Sequence, residues 1–517
     1  MKRFFIISLI FFMFTSCDQI WKQNANQVSL DNLILNTNSE YDWLVIMYAD
    51  GDNNLNNDIL LDVNEAEYGL SLIQDSDGYP LNGLNSVKVI VLWDGNDKPS
   101  YLLDLGQDNE VNYKFSSNTK NFTKNAEEWM SEDGYVEVGK GGEVAMSSYE
   151  TLANLLTWVN EHYQAKHTIL VLEDHGTGPG YLYSRNIVTD DSRAICQDYS
   201  EGAYSLLSSQ DVSTGLSLAG YGNGTKLDII MEDICFGANI EDVYQLHDYA
   251  DYYIGSANQV PGSGNDYTKL VYTLATCDST EGAAKQILKN FADDYTGFNS
   301  MVVGNDSNDR KEITSDIVPT FSVYDCSKIS DLAQAVTNLA NHLLAEGDSR
   351  NFNSSTTYND YLRDNFVKTT ANYANILYYT ANMNYLYDLG WMMNRFAYVS
   401  SEEGAAALSG TAWSELESAG NAVIDALGEA TVCAWRDSYY SQESKQYGMY
   451  SRLDGNLTSD YTNHAFGLSI AGGSTDVYKN SGKKDHVYSW YKTDLAFGAD
   501  TTWYELLVDW FKTVETR

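Results

Sequence analysis

The segments "VLEDHGTGPG" (171–180) and "IIMEDICFGAN" (229–239) follow one plan: an apolar run, two acidic residues, a reactive side chain and then glycine. Each apolar run reads as a buried strand, and each glycine as the turn that leaves it. Open parallel sheets bind ligands at the carboxyl ends of their strands, where loops converge over a crevice. His175 and Cys235 sit at two such ends. If the two strands are neighbours, an imidazole and a thiol share one cleft, and the ring can take or stabilise the thiol proton.

The flanking sequence supplies the rest of a sheet. "YDWLVIMYAD" (41–50), "VKVIVLWDG" (87–95) and "YLLDL" (101–105) read as strands, as does the run opening at Asp251. The near-continuous apolar character of the longer runs suits parallel strands covered on both faces. Between them, Leu55, Ile59, Val63 and Ala66 recur at helical spacing, and "SSYETLANLLTWVNEHY" (147–163) places Leu152, Leu155, Leu156 and Val159 on one face behind a serine cap. A further helix is expected near 238–249. Alternating strands and helices predict an α/β lobe with a mostly parallel sheet. From about residue 318 the pattern turns to helices, such as "SKISDLAQAVTNLANHLLAEG" and "AWSELESAGNAVIDALGEATV", with few strands. We divide the chain into 41–317 and a helix-rich, mixed region 318–517. "DGDNNLNND" (50–58) resembles the start of a calcium loop, but the twelfth position is Leu61 rather than Glu.

A chain of 517 residues with 43% hydrophobic and 13% aromatic residues can build a large core. Its formal charge of −40, from 72 acidic against 32 basic residues, repels nucleic acid and anionic lipid headgroups and favours cationic partners. At the N-terminus, Lys2 and Arg3 precede an apolar run from Phe4 to Phe14, then Thr15, Ser16 and Cys17. This reads as a lipoprotein signal peptide over 1–16 with lipidation at Cys17, followed by a polar stalk over 17–40. The expectation is an exported protein anchored by lipid to a bacterial cell envelope, facing periplasm or exterior. The other cysteines are 196, 235, 277, 326 and 433, an odd set that leaves at least one thiol unpaired.

Several roles follow for the paired strand ends. A side chain at Gly176 would crowd a substrate carbonyl, and the N–H groups of Gly176 and Cys235 could form an oxyanion hole. Asp233, two residues before Cys235, projects on the same face and suits recognition of a cationic side chain. It could equally cap the helix that starts near Gly237. Each feature also has a plain structural reading: His175 as a turn residue, Cys235 as a small buried hydrophobe.

The same stretches resemble the clostripain family of cysteine endopeptidases, relatives of caspases, gingipains and legumains. The resemblance is carried by "VIMYADGDNNLNNDILLDVNEAE", "YETLANLLTWVNEHYQAKHTILVLEDHGTGPG" and "LDIIMEDICFGANIEDVYQLHDYADYYIGSANQVPGSG". It implies a caspase-like three-layer α/β/α sandwich, with Cys235 as nucleophile, His175 as base or proton donor, Gly176 in the oxyanion site and Asp233 beneath an Arg or Lys side chain. It also implies self-cleavage between the His and Cys strands, where Arg193 is favoured over Arg185 and Lys226. The chemistry needs no cofactor; calcium dependence is known in the family, but the residues assign no ligands. Ala257 and Asn258 stand where family members often carry acids, on what would be the pocket rim. Alternatives are an inactive surface binding protein or adhesin on the same fold, and a peptidase of non-basic specificity.

Overall fold

The computed structural model describes residues 40–96, 100–122, 144–179, 195–198, 205–295, 302–303, 311–312, 320–347, 351–353, 356–357, 386–390, 392–393, 410–436, 450–451, 467–472, 487–511 and 514–515. The first element is strand β1 (Glu40–Gly51), followed by helix α1 (Asn56–Ile73), β2 (Val87–Gly95), β3 (Tyr101–Asp104) and β4 (Lys120–Asn121). Next come α2 (Tyr149–His162), β5 (Gln164–Glu173), the hairpin β6 (Cys196–Asp198) and β7 (Ser205–Leu207), and α3 (Ser209–Leu218). The chain continues through β8 (Leu227–Asp233), α4 (Ile240–Leu246), β9 (Ala250–Gly255), α5 (Tyr267–Thr276) and α6 (Thr280–Tyr295). Beyond these lie β10 (Thr320–Asp325), α7 (Ile329–Gly347), α8 (Gly410–Ala430), β11 (Thr431–Arg436) and β12 (Tyr450–Ser451).

Ten strands form one sheet in the order β12-β11-β10-β9-β8-β5-β1-β2-β3-β4. The middle five, β9 to β2, run parallel, and the strands outside them pair antiparallel. The sheet is therefore mixed, with a parallel centre. Strand β1 shows why it is covered on both faces. Leu44, Ile46 and Tyr48 enter one buried cluster with α2, α3, α4, α7 and α8, whereas Val45, Met47 and Ala49 enter the other with α1, α5 and α6. Three layers result, as the resemblance implied. Strands β10 to β12 come from beyond residue 318 and continue the same sheet. Among the described residues, no helix is long and apolar enough to cross a membrane.

The C-terminal stretch also fastens the turn behind β8. Ser469 N–H donates to the Ala238 carbonyl at 3.0 Å, and Glu241 accepts from Ala471 N–H at 2.9 Å and from the Tyr491 hydroxyl at 2.5 Å. Glu241 is fully buried, and that burial pushes its carboxyl from 4.5 to about 7. Burial likewise takes Glu67 from 4.5 to about 7, despite donors from Ser116 and Thr119. Both groups bind a proton more tightly folded than unfolded, so the stability they give is complete below pH 4.5 and is lost as pH rises to about 7. Thermal unfolding without added divalent cations should show a higher midpoint at pH 5 than at pH 8. Glu241→Gln should flatten that dependence, and an equal or higher midpoint at pH 8 would refute the reading.

Candidate active site

Strands β5 and β8 pair in register from Ile169 opposite Ile229 to Glu173 opposite Asp233. His175 and Cys235 each stand two residues past the end of this ladder. Both line one cavity of about 260 Å³, together with Asp62, Glu173, Asp174, Asp233 and the loop 259–264. The two turns pack main chain against main chain: a Cβ on Gly176 would lie 2.1 Å from the Cys235 carbonyl oxygen and 2.9 Å from the Ile234 Cβ. Only glycine fits there. On the other side of the thiol, Phe236 adopts a left-handed φ of 62°. Its N–H donates to the Asn258 carbonyl and its own carbonyl accepts from Asn239 Nδ2, each at 2.9 Å, which holds a conformation that costs on the order of 1 kcal/mol. That bend leaves the Cys235 sulfur beside Val260, whose N–H donates to Sγ at 3.4 Å.

The sequence profile of the clostripain family matches residues 47–510. The chain belongs to the clostripain family. It is accordingly a cysteine-type peptidase, a hydrolase acting on proteins or peptides. Solved structures that it resembles include an inactive zymogen C11 protease from Parabacteroides distasonis, at 17% identity over 91% of this chain and 99% of that one, TM-score 0.50. Another is iotapain, a secreted C11 cysteine protease from Bacteroides thetaiotaomicron, at 16% identity over 91% and 99%, TM-score 0.50. A secreted C11 cysteine protease from the same organism, in complex with an irreversible peptide inhibitor, matches at 20% identity over 90% and 99%, TM-score 0.49. No curated protein sequence matches the chain.

Within this clostripain-family chain, the cavity is strongly acidic. Asp233 Oδ2 accepts from Asn265 N–H at 2.8 Å and from the Tyr267 hydroxyl at 3.2 Å, while Oδ1 has no donor. Among the described residues, neither oxygen of Glu173 accepts a hydrogen bond of ordinary geometry, although the residue is only 3% exposed and the Asp62 carboxyl and Tyr267 hydroxyl face it. Burial pushes all three carboxyls up: Asp62 well above its usual range with the charge of Glu173 adding, Glu173 with that of Asp233 adding, and Asp233 against its two donors. Burial also raises the Cys235 thiol to about 11, helped by the charges of Asp233 and Asp174 and opposed by the Val260 N–H, and it lowers His175. Burial in the cleft therefore favours a neutral thiol and a neutral ring.

The His175, Gly176, Asp233 and Cys235 of the sequence reading thus come together. Asp233 is no helix cap; Asn239 fills that role for α4, accepting from Asp242 N–H at 2.8 Å. Ala257 and Asn258 are not rim residues but buried loop anchors, and Gln259 to Gly262 line the cavity instead. Lys226 is exposed at the opposite end of β8, with its ammonium on the His247 and Ala250 carbonyls. Cys17, Arg185 and Arg193, with the signal segment and most of the stalk, lie outside the described residues. Cys196, Cys235, Cys277, Cys326 and Cys433 are free thiols.

Sequence reasoning missed three contributors. Asn54 Oδ1 lies 3.0 Å from His175 Nε2, and Asp62 and Glu173 deepen the acidic wall. Asn54 belongs to an asparagine-rich loop whose polarity gave no hint of a single contact. Asp62 falls on an otherwise core-facing helix, and an acid on a buried face was the available signal.

Below a pKa near 11 the thiolate fraction grows about tenfold with each unit of rising pH. Site-resolved alkylation of Cys235 by iodoacetamide should therefore accelerate about tenfold per unit between pH 7 and pH 10. A rate already level by pH 8 would show that the empty site holds a preformed thiolate.

Proposed function

We propose that the protein is an endopeptidase that cuts after Arg, and after Lys, by nucleophilic attack from Cys235 with His175 as proton carrier. The observation that carries this reading is the shared cavity, in which thiol, imidazole and four carboxylates converge and, among the described residues, no Lys or Arg lines it. A substrate guanidinium reaching Asp233 and Glu173 would offset the Asp233 charge, which adds to burial in raising the thiol. Binding of the correct side chain then promotes the thiolate, coupling recognition to reactivity. The Cys235 thiol passes its proton to His175, the resulting thiolate attacks the scissile carbonyl, and the N–H groups of Gly176 and Cys235 receive the oxyanion, worth roughly 3 kcal/mol per donor. His175 gives its proton to the leaving amine, and water then hydrolyses the acyl-enzyme. Asn54 would fix the ring during both transfers.

Self-processing between β5 and β8 fits the same specificity. Arg193 is the favoured site over Arg185, and Lys226 is the weakest because its ammonium is engaged at the start of β8. The zymogen relative from Parabacteroides distasonis supports a processed form. Export and lipid anchoring through Cys17 rest on the charged, apolar and small-residue order of the N-terminus. Substitution of Cys17 by Ser should release the protein from the membrane fraction and abolish incorporation of labelled palmitate.

Turnover of an Arg-ending reporter peptide should vanish in Cys235→Ala, and persistent turnover would sink the assignment. Asp233→Asn should raise KM for Arg substrates by about tenfold or more, with a smaller effect on uncharged ones. Asn54→Ala should lower kcat roughly tenfold at nearly constant KM. Because the pocket carboxyls are raised and a cation draws their protons off, an Arg-like inhibitor should bind more tightly as pH climbs from 5 to 8. Glu173→Gln should weaken that trend. Affinity independent of pH would remove Glu173 from the recognition site.

A further inference from the structure

Outside the main sheet, a two-stranded ribbon pairs Leu386–Asp388 with Ser469–Ala471 in antiparallel register, Leu386 opposite Ala471 and Asp388 opposite Ser469. It touches both catalytic turns. On the thiol side, Ser469 N–H donates to the Ala238 carbonyl at 3.0 Å and Ser469 pairs with Asn239, three and four residues past Cys235. On the imidazole side, the contact runs through Gly178, three residues past His175. A Cβ there would lie 3.2 Å from Leu386 Cδ1 and 3.4 Å from the Cβ and the carbonyl oxygen of Phe236. Gly178 has a φ of 64° and Phe236 one of 62°, so two left-handed turns meet over one leucine.

Leu386 is 2% exposed and shares a buried cluster with Ile234, Phe236, Leu389, Leu468 and Ile470. Its position is fixed by the main chain around it. Leu389 N–H donates to the Leu468 carbonyl at 2.9 Å and Gly467 N–H to Asp388 Oδ2 at 3.0 Å, while the Tyr324 hydroxyl of β10 donates to the Gly467 carbonyl at 2.7 Å and ties the ribbon to the main sheet. Gly176 against the Cys235 carbonyl sets the spacing of the two turns at one point, about which they could still pivot. The second contact, of Gly178 with Phe236 and Leu386, removes that pivot. Attack and proton transfer depend steeply on such alignment, and a displacement of about 1 Å at a reacting group costs on the order of a hundredfold in rate.

We propose that Leu386 is a positioning residue for the peptidase reaction: wedged against Gly178 and Phe236, it fixes the angle between the turn that presents His175 and the turn that presents Cys235. Leu386 does not line the cavity, so it acts through those turns and not on substrate. The pair carried by β5 and β8 thus depends for its alignment on a ribbon from beyond residue 318. This inference rests on Cys235 and His175 acting together, and not on the preference for basic side chains.

The test compares the full-length parent with Leu386→Ala, Leu386→Met and Leu427→Ala, the last a leucine of α8 buried in the same cluster, on a helix that packs against α7. On an Arg-ending reporter, Leu386→Ala should lower kcat roughly tenfold at nearly constant KM, and Leu386→Met, which refills the space, should restore about half of the parent rate or more. Site-resolved alkylation of Cys235 at pH 8 should quicken several-fold in Leu386→Ala, because a loosened turn lets water reach the buried thiol. Leu427→Ala should lower the unfolding midpoint comparably and leave kcat and alkylation within about twofold of the parent. Gly178→Ala should also lower kcat, and since loss of the Leu386 side chain makes room for the added methyl, the double variant should lose less than the product of the two single losses. Should Leu386→Ala not fold, Leu386→Val replaces it, with an expected loss of about threefold. Full kcat in the truncated variant, an equal loss in Leu427→Ala, no recovery in Leu386→Met, or strictly multiplicative losses would each overturn the proposal. A parent inactive on Arg and Lys reporters would instead remove the specificity reading, and the alkylation rates of Leu386→Ala and Leu427→Ala would then decide the positioning role.

Discussion

Parallel pairing of Glu173 with Asp233 sets the geometry on which the site depends. Adjacent strands lie about 4.8 Å apart, so residues two positions beyond a shared ladder end emerge side by side. A slip of one residue would reverse the faces of a whole strand and send the ring or the sulfur into a helix layer. Burial prevents the slip, because Ile169, Val171, Ile229 and Met231 feed one cluster while Leu170, Leu172 and Ile230 feed the other. The Gly176 turn then locks the height, as any larger residue would strike the Cys235 carbonyl.

Onto this frame the protein loads an unusual quantity of buried negative charge. Among the described residues, no Lys or Arg forms an ion pair with Asp50, Asp62, Glu173 or Asp233. Such groups shift their proton affinity rather than stay ionised alone. The cost is tolerable where a cationic ligand later compensates it. Two adjoining regions share this property, the cavity floor and the buried acids around Asp50, and Asp174 borders both. Charge brought to either would be felt at His175 and Cys235, since Asp174 already helps raise the thiol.

Among the described residues, the C-terminal half contributes by fastening rather than by lining. Its residues 469–471 and Tyr491 hold the start of α4 through Ala238 and Glu241, just behind the strained Phe236. Strand β10 supplies Thr320, whose hydroxyl accepts the N–H groups of Ala257 and Asn258 at 3.0 and 3.2 Å. The loop that places Val260 beside the sulfur is thus anchored from the strand next to β9.

Local sequence determined a good deal. Apolar runs of strand length, helical spacing of Leu55, Ile59 and Val63, and the repeated strand-then-glycine ending specified a parallel centre with His175 and Cys235 at its carboxyl edge, because periodicity and turn chemistry act between near neighbours. The helices at 329–347 and 410–430 were equally legible. Tertiary structure alone decided what depends on distant partners: the antiparallel edge from β10 to β12, the contact of Asn54 with His175, the burial of Ala257 and Asn258, and the meeting of Asp50, Asp94 and Asp198 from three separate strands. Those contacts span from about 40 to over 140 positions of chain, and a side chain's own neighbours in sequence carry no record of what folding brings against it.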